Sequence, residues 1–236
     1  MRAPRRVFKC LAVASVVAAL LPDSAPFAAE PPPVGQLVAT RIKTVRAWRD
    51  PRKQAVGAEI LALAGAGGPR DWAATAIALA DAAAAAGPLD FVTVDLQDIN
   101  VADIAVPADY RRLAIVYFGK TPPKSPWEDD PFAVYPASKR TSRDDAARIA
   151  EYERARTQML ARTRNADEVN REAALAVARS AGQPNWAPPP GNDIGAKPLH
   201  RREDLKVQGT VAPATLAELH QCLRRAQDQD AWGCDR

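Results

Sequence analysis

The sequence predicts an α+β fold: a β-β-α-β-β two-layer domain at 36–118, in which one helix lies across a small sheet, then a Pro-rich linker at 119–140 and a mostly helical C-terminal region. Three observations predict it. Four β-rich stretches lie between residues 36 and 118, and one sharply delimited amphipathic helix separates the second from the third. After residue 118 the composition shifts first to proline and then to charged residues at helical spacing.

The first stretch, Gln36 to Trp48, carries Val38, Thr40, Ile42, Thr44 and Val45 with Arg41, Lys43 and Arg46 interleaved, the pattern of a strand. Arg49 to Lys53 is turn-like. Gln54 to Ala64 reads as its antiparallel partner, with helix as the rival because Ala and Leu favour it. Pro69 suits a first helical position, Asp71 the positive end of the dipole, and Gly87-Pro88 the stop, so a helix is expected from Pro69 to about Ala86. Phe91 to Leu96 and Leu113 to Phe118 are the third and fourth strands, with an acidic loop between them.

Residues 1–29 are expected to leave as a signal peptide. Arg2, Arg5, Arg6 and Lys9 precede Cys10–Leu21, an apolar run whose one polar member is Ser15, and small residues place cleavage near Ala29. The run is too short to span a bilayer, which takes about 20 apolar residues. Arg5-Arg6 is also part of a twin-arginine signal, but no cofactor motif follows, so the general secretory route to the periplasm or the medium is expected. A Pro-rich leader at 30–35 then opens the mature chain, which carries no further transmembrane segment. Losing four basic residues against Asp23 takes the net charge from +4 to +1, which removes the field that would draw nucleic acid or anionic lipid.

Residues 41–118 resemble a small exported bacterial domain of unknown function. The likeness rests on the Ala74-Thr75-Ala76-Ile77 helix and on the strands Asp90–Leu96 and Leu113–Tyr117. That family places a Pro-Asp-Gly turn after its last strand, and Gly119-Lys120-Thr121 departs from it. The resemblance assigns no catalytic residue.

Within 119–140, prolines 122, 123, 126, 131 and 136 argue against regular structure. Thr141-Ser142-Arg143-Asp144-Asp145 caps a helical region at 141–181, one long helix or a helical hairpin, with a thin stripe of Ile149, Tyr152, Met159, Val169 and Ala173. That stripe suits a second copy of the chain or the final helix. Its charges interleave, as in Asp144/Arg148, Asp167/Arg171, Glu151/Arg154 and Glu153/Arg156, which describes a solvated face. Residues 182–212 are irregular, and 213–236 form a last helix and a tail. In an oxidising compartment Cys222 and Cys234 pair as one disulfide.

No cofactor, catalytic residue or metal ligand is assigned. Nucleophile elbows and glycine-rich phosphate loops are missing, and His200, His220 and the two late cysteines lack structural-zinc spacing. Asp228 to Gly233 echoes the start of a calcium loop, with Trp232 where an oxygen ligand belongs. The expectation is an exported, non-enzymatic interaction protein of the envelope or a secretion assembly, with Trp127, Tyr135, Tyr152 and Trp186 as candidate partner-binding residues and homo-oligomers forming through the long helix. The alternatives are a periplasmic hydrolase using the carboxylates Asp90, Asp95, Asp98, Asp103 and Asp109, and a metal-dependent binding module.

Overall fold

The computed structural model describes residues 31–50, 55–119, 132–163, 165–191 and 198–229. A short strand β1 (Val34–Gln36) leads into β2 (Thr40–Asp50), which pairs antiparallel with β3 (Ala55–Ala64). Helix α1 (Pro69–Ala86) then carries the chain over to β4 (Phe91–Asp98), parallel to β3. A one-turn helix α2 (Ala108–Arg111) precedes β5 (Arg112–Gly119), antiparallel to β4, and β6 (Phe132–Pro136) is antiparallel to β5. Helices α3 (Arg143–Leu160) and α4 (Ala166–Ser180), strand β7 (Lys206–Gln208) and helix α5 (Pro213–Gln229) follow. The fold is mixed α+β, with a five-stranded sheet in the order β2-β3-β4-β5-β6 and a small parallel pair, β1-β7.

One face of the sheet builds the core. Val45, Ile60, Val94, Val116 and Val134 stand opposite one another across all five strands, each fully buried. Ile77 and Leu79 of α1 and Leu219 and Leu223 of α5 pack in the same cluster. This explains why β3 is a strand despite its alanines. Ala58, Ala62 and Ala64 are small enough to let helix backbone approach, so burial overrides helix propensity.

Helix α1 is seated by its first turn. The Asp71 carboxylate accepts from the backbone N–H of Gly68 (3.1 Å) and of Gln36 (2.9 Å), which fixes β1 to the helix start. Thr75 Oγ1 accepts from the Val38 N–H at 3.0 Å and donates to the Asp71 carbonyl at 2.7 Å. Gly35 lies so close that a Cβ there would stand 2.4 Å from the Arg70 carbonyl oxygen. Because the obstacle is backbone, Gly35→Ala is expected to cost about 1–3 kcal/mol. Urea unfolding, with the midpoint lowered and the slope unchanged, checks it.

The structure corrects the sequence reading in two places. The linker at 119–140 ends in strand β6. Pro136 is tolerated in β6 because this is the last strand of the sheet, where a missing N–H costs little, and Val134 exchanges backbone hydrogen bonds (2.9 Å each way) with Leu199. The α+β domain does not stop at residue 118. Its core takes in α5, and β7 pairs with β1, so 32–236 forms one compact unit. The region 141–181 takes one of the two expected forms, a hairpin of α3 and α4 in which Tyr152, Ala173 and Val177 are buried together.

Candidate functional site

The loop after β4 and the start of α3 are joined by a cluster of ion pairs and hydrogen bonds. Asp98 ends β4 with 3% of its side chain exposed, and Arg140, just before α3, donates to both its oxygens at 2.7 and 2.6 Å. Asn100 adds its backbone N–H and its side-chain amide to Asp98 Oδ1, each at 2.9 Å. One turn into the loop, Arg143 donates to both oxygens of Asp103 (2.9 and 2.6 Å) and to the Asn100 carbonyl (2.6 Å). Beneath these pairs Val101 and Val106 of the loop bury against Ala146 and Ile149 of α3, so the acidic loop is the seat of the helical hairpin.

The other carboxylates of the predicted cluster are engaged as well. Asp95 is held by Arg112 at 3.0 and 3.2 Å and accepts from the Gln97 amide at 3.1 Å. Asp109 accepts from the same arginine at 3.2 Å, and Asp90 accepts from the Val56 N–H at 2.7 Å. Burial works against the charge on Arg112, but the hydrogen bond and charge of Asp95, with Asp109 adding to them, outweigh it and raise its pKa. For Arg140 the hydrogen bond to Asp98 is the leading cause of a raised pKa. These arginines are the residues that sequence reasoning missed. The available signal was an excess of arginine over aspartate, 24 against 19, but the pairing joins residues 17 to 42 positions apart, beyond any local spacing rule.

The outer pair has a testable pH dependence. The hydrogen bond from Arg143 holds the Asp103 carboxyl below the ordinary aspartate value. Its folded pKa is therefore lower than its unfolded one, so the pair's contribution is present above the unfolded value and is lost as pH falls through the folded one. Arg143→Ala is expected to lower the unfolding midpoint slightly at neutral pH and low salt. The difference from the natural protein should shrink as pH falls through the folded Asp103 value, and shrink also in molar salt, as unfolding at several pH values and salt concentrations would show.

The four candidate partner-binding residues separate. Trp127 lies outside the described residues. Tyr152 is 7% exposed and meets half-buried Trp186 edge-on at 6.1 Å, so the pair contributes to the packing of the hairpin. Burial raises the Tyr152 pKa, with Arg156 opposing and Glu153 adding to it. Tyr135 alone sits on the outer face of the sheet, edge-on to Tyr117 at 6.1 Å. Tyr117 is 39% exposed, and Trp48 and Phe91 form a second half-buried pair, 5.9 Å apart, over Gly57 on the same face. Both helices that pack on the sheet, α1 and α5, lie on the opposite face.

Cys222 is 1% exposed on the inner side of α5, and Cys234 lies outside the described residues, as do 1–30. Among the described residues, no three His, Cys, Asp or Glu side chains gather where a metal ion would sit, and no helix is long and apolar enough to cross a membrane. Comparison of the chain with protein-family models, with curated proteins and with solved structures finds no match.

Proposed function

We propose that the chain is an exported, non-enzymatic accessory protein of a bacterial cell envelope, acting through contacts with another protein. The observation that supports this reading best is the outer sheet face. Trp48, Phe91, Tyr117 and Tyr135 gather partly exposed aromatic surface there, on strands fixed by the core behind them. Two of the arginines on that face stand against acids, Arg46 opposite Glu59 and Arg112 bound to Asp95, which favours a weakly charged protein surface over a polyanion as partner.

The hydrolase reading has less support. A catalytic carboxylate needs an oxygen free for water or substrate, and the oxygens of Asp95 and Asp98 are occupied by arginine and amide donors.

The test is a photo-crosslinking amino acid placed at Tyr117 in intact cells, with the same label at the buried Tyr152 as control. The expected result is a discrete crosslink to one envelope protein from position 117 only, on material whose intact mass lacks residues 1–29. Retention of Met1, with the protein in the cytosol and no position-specific crosslink, would overturn the reading.

A further inference from the structure

Parallel strands are ordinarily packed by helices on both faces, and they then read as near-continuous apolar runs. Strands β3 and β4 run parallel, and β3 reads in that way, Ile60-Leu61-Ala62-Leu63-Ala64. Ile60, Ala62 and Ala64 turn into the core that α1 and α5 share, which leaves Leu61 and Leu63 to the outer face. Leu63 is buried there and Leu61 half-buried. Further along the same face the Trp48 and Phe91 rings lie over Gly57, and Tyr117 of β5 stands next to Thr93 of β4. The chain's own helices cover only the other side of this floor.

The β2 flank of the floor is basic. Ile42 and Val45 both turn to the core, so the bulge between Ile42 and Thr44 sets Lys43 on the outer side with Arg41 and Arg46. Arg46 stands opposite Glu59, but among the described residues neither exposed Arg41 nor half-buried Lys43 is matched by an acid.

We infer, on the protein-contact reading above, that the partner covers β3 and β4 with an amphipathic helix, apolar towards Leu61 and Phe91 and acidic along the flank that meets Arg41 and Lys43. A helix laid along the strands completes on this face the layer that α1 provides on the other. The spacing of the charges suits it. Arg41 and Lys43 are two residues apart, about 7 Å along a strand, and acids four apart on a helix are about 6 Å apart on one flank. The apolar floor supplies burial, while the charges set orientation and speed of encounter. Because the acids lie on one flank only, the docking surface as a whole is weakly charged.

The test places a photo-crosslinking amino acid at Tyr117 and, separately, at Leu61 of the full mature chain in intact cells, with the crosslinked partner residues mapped by mass spectrometry. Partner residues three or four positions apart in one segment are expected. Arg41→Glu with Lys43→Glu is expected to lower the yield of the partner crosslink from position 117 at least fivefold, whereas Arg41→Lys keeps it. Should the double glutamate variant fail to fold by circular dichroism, Arg41→Gln with Lys43→Gln is expected to lower the yield at least twofold. A yield that neither pair of changes moves overturns the acidic flank. Mapped residues two positions apart, as an extended strand gives, overturn the helix, and so does a crosslink to a second copy or within the chain. No crosslink at all from position 117 with Arg41 and Lys43 in place overturns the protein-contact reading and the helix together, which separates the two failures.

Discussion

Arg140→Ala is expected to destabilise the protein by about 3 kcal/mol. Asp98 is almost fully buried, and Arg140 supplies two of its four donors, so deletion strands a carboxylate away from water. Asn100 keeps two donors in place, which holds the expected loss to the lower part of the range for broken buried pairs. The double variant Asp98→Asn with Arg140→Ala should recover at least half of the loss, because a neutral amide costs less to bury than a charge. A denaturation-based double-mutant cycle reads both numbers. A loss well under 1 kcal/mol for Arg140→Ala would show that water reaches Asp98 freely.

The second large effect is expected at Leu219, which is fully buried in the cluster shared by α5, α1 and the sheet. Leu219→Ala should cost about 2–5 kcal/mol, through lost burial and the cavity left behind. The loss should appear in the cooperative unfolding of the sheet, with a single transition by far-ultraviolet circular dichroism and by tryptophan fluorescence. An α5 that only rested on the domain would show a small, separate, non-cooperative change.

The sequence was legible where the signals were local. Pro69, Asp71 and Gly87-Pro88 bound helix α1 as the capping rules require, and the Phe91–Leu96 and Leu113–Phe118 stretches are strands. It was misleading where composition stood in for context. The prolines around Phe132–Pro136 mask a strand that survives because it lies at the edge of the sheet. The leucine stripe of α5 has the same spacing whether it meets a partner or the protein's own β2, so nothing in it announces that α5 shares a core with the first strands of the sheet. The aspartate cluster shows the same limit. Proximity in sequence marked Asp95, Asp98 and Asp103 as a group, but the arginines that engage them come from β5, from the segment before α3 and from α3 itself. The outer-face aromatics were invisible for the related reason that cross-strand neighbours such as Phe91 and Trp48 are 43 positions apart in the chain.

Native-state hydrogen exchange tests most directly the claim that the five-stranded sheet, α1 and α5 share one core, with the α3–α4 hairpin clamped to it by aspartate–arginine pairs. The account predicts that amides of α5 from 215 to 226 open with the same free energy as those of β3 and β4, and that α3 and α4 open earlier, as a unit, more readily still in Arg140→Ala. An α5 that exchanges independently of the sheet, or a hairpin indifferent to Arg140→Ala, would contradict it.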